Sequence, residues 1–215
     1  MKTRILSAAI FSIIFLSGCG FWGIRGNGHI KEETREIKDF QVLEAGGAFT
    51  IRVKAGSEPS LKISAEENLL SYIKTAVHGN TLVIDTRKSI SPRKEILIEI
   101  TTPGINSVDA SGANNISVTG ISGDEFKADL SGAGHVNLEG EVNEFRAELS
   151  GAGNIEARNL KAKNVLVSVS GAASASVYAK EYLDASVSGV GSIDYYGDPL
   201  KTKTNVSGVG SISRR

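Results

Sequence analysis

From Ile37 to about Thr102, apolar and polar residues tend to alternate. Phe49-Thr50-Ile51-Arg52-Val53 and Leu61-Lys62-Ile63 follow the rule closely, and Thr81-Leu82-Val83-Ile84 and Ile96-Leu97-Ile98-Glu99-Ile100 are further apolar-rich runs. Successive side chains of a strand point to opposite faces, so a period of two bounded by Gly, Asn and Pro predicts half-buried strands. His78-Gly79-Asn80 reads as the turn before Thr81. One segment breaks the pattern. Leu69, Leu70 and Ile73 fall at helical spacing, which predicts a short helix within Ala65 to Lys74.

Beyond Ile105 the pattern repeats. Ser111-Gly112-Ala113-Asn114-Asn115-Ile116 returns as Ser131-Gly132-Ala133-Gly134-His135-Val136 and Ser150-Gly151-Ala152-Gly153-Asn154-Ile155. It returns again from Ser170, Ser188 and Ser207, with steps of 20, 19, 20, 18 and 19 residues between the serines. Such a period marks a stack of small units. Apolar residues keep phase from unit to unit. Phe126, Phe145, Val165 and Leu183 share one position, and Leu130, Leu149, Val169, Val187 and Val206 share another. In a parallel coil like positions lie above one another, about 4.8 Å apart. An antiparallel meander would not stack them, and it is the competing arrangement. The pattern therefore predicts an all-β chain whose second part is a parallel β-solenoid of about six 19–20-residue rungs. Glycine at each corner lets the chain turn sharply. Gly171-Ala172-Ala173 lacks the second glycine, so that corner is expected to differ slightly. Arg214 and Arg215 beside the last rung would discourage strand addition by a neighbour.

The start of the chain carries an address. Lys2 and Arg4 precede an apolar run from Ile5 to Leu16, followed by Leu16-Ser17-Gly18-Cys19. This is the build of an export signal, too short to span a bilayer comfortably. The end of the run resembles the bacterial lipobox, in which the cysteine receives the lipid. Cys19, the chain's one cysteine, is thus the expected acylation site, with palmitate among the expected acyl chains. The predicted organisation is a signal peptide over 1–18, a lipidated tether over 19–36, a β-rich part over 37–102 and the repeat array over 103–215. The expected location is the cell envelope, on the outer membrane.

Charge narrows the partners. Removing Lys2 and Arg4 with the signal leaves 22 basic residues against 24 acidic ones. A nucleic-acid binder needs a basic field, so none is expected. Neutral sugars, proteins and a second copy of the chain stay open.

The repeats, Tyr195-Tyr196-Gly197-Asp198-Pro199 and Arg35-Glu36-Ile37-Lys38-Asp39-Phe40 resemble the bacterial putative auto-transporter adhesin family, head GIN domain. The resemblance covers roughly residues 35 to 213. It implies a right-handed β-helical fold in two β parts, exported and often lipid-anchored. It supplies no catalytic residues.

Candidate chemistry is sparse. Tyr178 and Tyr196 fall at one outward position on adjacent rungs, which can make an aromatic platform for a sugar ring or a protein, or an ordinary cross-strand pair. The six serines can form a hydroxyl ladder for glycan or ordered water, or simply serve turn chemistry. Arg87, Lys88, Arg93 and Lys94 bracket Ser91-Pro92 and suit an anionic polymer or lipid headgroups, as well as a solvated loop. Asp124, Glu125, Asp129, Glu139, Glu141, Glu144 and Glu148 lie on nearby rungs but lack regular calcium-ligand spacing. His29, His78 and His135 lie in separate contexts, and no HExxH or Gly-x-Ser-x-Gly motif occurs. The expectation is a non-catalytic adhesin or binding module without cofactor or metal. A structural assembly module is the alternative, and a polysaccharide-active enzyme using pairs such as Asp129 and Glu148 is a weaker one.

Overall fold

The structure, a computed structural model, describes residues 23–215. Strands make up nearly all of its regular structure. The long strands Asn115–Leu130, His135–Gly151, Asn154–Gly171 and Ser174–Gly189 each bend midway. Their closing halves lie in one sheet, sheet I, and their opening halves in another, sheet II. Sheet I runs from 81–86 through 42–45 and 107–110 to those closing halves and ends at Lys201–Gly208. Sheet II runs from 97–102 through 50–55 to the opening halves and ends at Ser192–Tyr196 and Ser211–Arg214. Among the described residues every pairing inside the array is parallel, so the coil holds and the meander does not. Six strand pairs joined by five return bends make about five full turns, against six expected rungs.

The period of two explains which residues face inward. Phe126, Phe145, Val165 and Leu183 are aligned by the strand register, as are Leu130, Leu149, Val169, Val187 and Val206. The columns are buried as far as Leu183 and Val187. Phe126 and Phe145 touch with ring centroids 6.4 Å apart at 33°. Burying such a side chain is worth about 1.5–3 kcal/mol, and truncating one to Ala would cost about 3–5 kcal/mol. Register shifts between Thr119 and Ile121, Asn137 and Glu139, and Ala157 and Lys161 fall at the return bends. There the variation in repeat length is absorbed without moving the core columns.

The glycine corners form a backbone column of their own. Ala133 N–H donates to Gly112 O at 2.9 Å, and Ala152 N–H to Gly132 O at 3.0 Å. Such close stacking excludes side chains: a Cβ at Gly132 would lie 2.1 Å from Gly112 O. The Gly171-Ala172-Ala173 corner keeps this ladder, Ala172 N–H donating to Gly151 O at 2.9 Å, and a second one beside it, in which Ala173 O accepts from Ser192 N–H at 3.1 Å. The column also has a member that the repeat does not announce. Gly47 O accepts the Ala113 N–H at 2.9 Å, making Gly46-Gly47 a seventh corner.

That extra corner reveals the order of assembly in space. The winding 42–55 lies between the winding 107–119 and the strands 81–86 and 97–102. Antiparallel strands then close this end. Ile73–His78 pairs with Thr81–Thr86 through the expected His78-Gly79-Asn80 turn, Ser60–Glu66 with Leu97–Thr102, and Ile30–Arg35 with Ser60–Glu66. Within the span expected as a tether, Ile24–Arg25 and Ile30–Arg35 are strands. The helix expected within 65–74 is reduced to a 3-10 turn at Leu70–Tyr72. Glu66 still ends a strand and Ile73 begins the next, so Leu69, Leu70 and Ile73 are buried as a crossing loop rather than as a helical stripe.

Candidate functional site

The outer surfaces of the two sheets carry the candidate residues. On sheet II the register places Tyr178 beside Tyr196, and both are half-buried. Lys161 pairs with Tyr178 from the winding before, and its Nζ sits 3.6 Å from the ring centroid. A cation over an aromatic face is attracted to the ring's negative quadrupole. One face of Tyr178 is therefore occupied by this chain's own lysine.

Along the same sheet runs a polar column. His135 Nδ1 and Asn154 Nδ2 lie 3.2 Å apart, and Ser174 Oγ donates to Asn154 Oδ1 at 3.1 Å. Ser176 and Asp194 fall in the neighbouring outward column, beside the tyrosines. The face thus offers hydroxyls, amides and aromatic rings on a rigid lattice.

The serines of the six corners are all exposed, and Ser150, Ser170, Ser188 and Ser207 are in register. Ser170 Oγ donates to Leu149 O at 3.2 Å, the backbone-bonded use of such a hydroxyl.

At the N-terminal end of sheet II lies a shallow groove of about 580 Å³. Arg52, Lys54, Lys62, Glu99, Ser117 and Thr119 are among its lining residues. Lys62 is committed to Glu99 at 3.1 Å and Glu32 at 3.4 Å, and these carboxylates, Glu99 first, hold it charged beyond the usual lysine range. Arg52 and Lys54 stand exposed from the same strand. The groove is absent from the sequence reading. Only the outward alternation of Arg52 and Lys54 hinted at it, since its other walls come from separate strands.

On sheet I, Glu44, Asp109, Asp129 and Glu148 lie side by side in register. Among the described residues, no group of three or more His, Cys, Asp or Glu side chains is placed to hold a metal ion. The loop bearing Arg87, Lys88, Arg93 and Lys94 is exposed at the N-terminal end. The backbone N–H groups of Arg93 and Lys94 turn inward to Glu66, at 2.7 and 3.4 Å. Cys19 lies outside the described residues.

The family described as putative auto-transporter adhesin, head GIN domain, matches residues 39–199. The chain belongs to this family. Solved structures agree with the architecture. A putative adhesin from Bacteroides fragilis NCTC 9343 is 29% identical, with a TM-score of 0.75 over 90% of this chain and 100% of that one. A putative adhesin from Parabacteroides merdae ATCC 43184 is 20% identical, with a TM-score of 0.58 over 90% of this chain and 99% of that one. A putative lipid binding protein from Parabacteroides distasonis ATCC 8503 is 22% identical, with a TM-score of 0.54 over 89% of this chain and 99% of that one. No curated protein matches the chain. Membership of an adhesin family points to an exported, surface-acting protein with a binding role. Among the described residues, no helix is long and apolar enough to cross a membrane.

Proposed function

We propose that this protein is a non-catalytic binding module of the cell envelope, anchored through lipid on Cys19 to the outer membrane, that holds a glycan or protein on the outer face of sheet II. The observation carrying this reading is the registered pair Tyr178 and Tyr196 beside Ser176 and Asp194. Aromatic rings suit the C–H face of a sugar, while neighbouring hydroxyl and carboxylate groups orient its hydroxyls. Binding on such a lattice needs no reacting group. Glycan-array binding that disappears in Tyr178→Ala and Tyr196→Ala is the expected result, and binding unchanged in both would defeat the proposal. Labelled fatty acid should enter the wild-type chain and not Cys19→Ser.

A second reading has its own observation. The third residue of each corner is apolar, and in the last two it is Val190 and Val209, which are 69% and 85% exposed. An apolar ridge of this kind favours assembly with other chains. Sedimentation that shifts with concentration, and stops shifting in Val190→Asp/Val209→Asp, would favour assembly over glycan binding.

A further inference from the structure

The chain between Cys19 and the folded body is short. Gly23 lies against the backbone of Ile90, where a Cβ would come within 2.8 Å of its carbonyl carbon. Ile24–Arg25 then pairs in parallel with Ile90–Ser91. Ile24 N–H donates to Ser89 O at 3.0 Å and Gly26 N–H to Ser91 O at 3.1 Å. Asn68 Nδ2 holds Arg25 O at 2.8 Å, and Glu66 takes the Gly28 N–H at 2.5 Å. Gly20, Phe21 and Trp22 alone separate Cys19 from this docked segment. Four Cα–Cα steps reach about 14 Å at full extension. A lipid on Cys19 would therefore hold the body's N-terminal end at the membrane surface. Aromatic residues such as Phe21 and Trp22 suit the neighbourhood of an interface, tryptophan especially.

The surface brought there is basic. Arg25, Arg87, Lys88, Arg93 and Lys94 are exposed, and the ion pairs among the described residues involve none of them. The exposed acids of the same stretch are Asp85 and Glu95, while Glu66 is buried and bonded to backbone N–H groups. This concentration stands out in a chain whose formal charge is zero overall. The loop also lines a small cleft together with the Gly47 corner, the first of the glycine column that ends at Gly208. Six steps of about 4.8 Å put that last corner roughly 30 Å away.

We propose that Arg25, Arg87, Lys88, Arg93 and Lys94 form a foot that binds the phosphate headgroups of anionic phospholipid in the membrane holding the Cys19 lipid. The solenoid then stands on that foot, with Tyr178 and Tyr196 several windings above the bilayer. The inference rests on the lipid-anchor reading. Juxtamembrane cations of this number are attracted to an anionic surface over about one Debye length.

The test uses the full acylated protein in vesicles of phosphatidylcholine, alone or mixed with phosphatidylglycerol. Acylation blocks Cys19, so a fluorophore attaches only to Ser89→Cys on the loop or Ser207→Cys at the far corner. A lipid carrying a headgroup nitroxide should quench the Ser89→Cys label in the anionic vesicles, and leave the Ser207→Cys label bright. High salt, or Arg87→Glu/Lys88→Glu/Arg93→Glu/Lys94→Glu, should lower the quenching of the loop label to its level in neutral vesicles, which the Cys19 tether alone keeps above that of the far corner. That variant keeps the backbone N–H groups of Arg93 and Lys94 that donate to Glu66 and removes the Arg93 charge that also favours its carboxylate, so circular dichroism of the variant checks the fold. Equal quenching at both positions, or quenching indifferent to lipid charge, salt and the variant, would overturn the foot. Fatty-acid labelling reports the anchor separately. If it fails, flotation of the unacylated full chain with anionic vesicles that is lost in the four-glutamate variant supports the foot, and flotation that is absent or unchanged by the variant overturns it.

Discussion

The side-chain oxygen of Asn114 accepts the backbone N–H of Phe49 at 3.0 Å, across 65 positions of sequence. Its amide nitrogen donates to Ala45 O at 3.1 Å and to Ser111 O at 2.6 Å. Asn114 stands where most other corners have glycine, and it is buried. The reason lies one winding away. Gly46-Gly47 is the divergent corner, and Asn114 satisfies backbone groups on either side of it.

Asn114→Gly therefore makes the hexapeptide more regular and the protein less stable. The variant leaves Phe49 N–H without a partner inside the fold, at about 1–3 kcal/mol for a buried group left unsatisfied, while Ala45 O keeps the Ser111 N–H at 2.9 Å. A lowered urea midpoint with unchanged slope is the expected result.

A methyl group at Gly132 has nowhere to go. Gly132 does not have a positive φ, so the strain there is purely steric and comes from the Gly112 carbonyl. Gly132→Ala should destabilise by about 3 kcal/mol, in the upper range for overpacking. Gly104→Ala is the control, since a Cβ there meets nothing within 4 Å. Thermal melts should separate the two by far more than the small effect expected at Gly104.

The stacked columns were legible because one rule generates them. Phe126, Phe145, Val165 and Leu183 recur at near-constant spacing, and a parallel register turns equal spacing into contact. Tyr178 and Tyr196 were legible for the same reason. Lys161 over Tyr178 was not, because the register shift between Ala157 and Lys161 breaks the count at a return bend. The place of 42–55 in the stack was hidden as well. Its corner lacks the preceding serine, and its neighbours 81–102 and 107–119 follow it in sequence while flanking it in space. The groove at Arg52 and Lys54 depends on that placement and on antiparallel neighbours, so no local pattern could announce it.

Asp129 tests the cost of stacking like charges. Burial first, then the charges of Glu148 and Asp109, push its carboxyl above the ordinary range, while Lys127 pulls the other way. A carboxyl with a raised folded pKa binds protons more tightly in the native chain. Its contribution is most favourable at low pH, and stability is lost as pH climbs from the ordinary aspartate range through the folded value. Asp129→Asn should therefore raise stability at neutral pH by about 0.2–1 kcal/mol, the low end being expected for an exposed site. The gain should shrink in high salt and vanish below the aspartate range, as a pair of chemical-denaturation series would show.

Glu66 has the opposite sign. Burial works against its charge, yet backbone N–H groups of Arg93, Gly28 and Lys94 outweigh that penalty and hold its carboxyl below the ordinary value of 4.5. A lowered folded pKa gives stability that is present above the unfolded value and lost as pH falls through the folded one. Glu66→Gln keeps the shape but aims an N–H₂ group where acceptors are needed, which costs about 1–3 kcal/mol for a buried N–H left unpaired. The variant should be weaker at neutral pH and show a flatter acid limb than wild type. Amide exchange gives the local readout: Gly28, Arg93 and Lys94 should exchange faster, while Ala133 and Ala152 in the glycine column keep their protection. Loss of protection along the whole column would mean that Glu66 supports the entire fold, and not the docking of 23–28 against the basic loop.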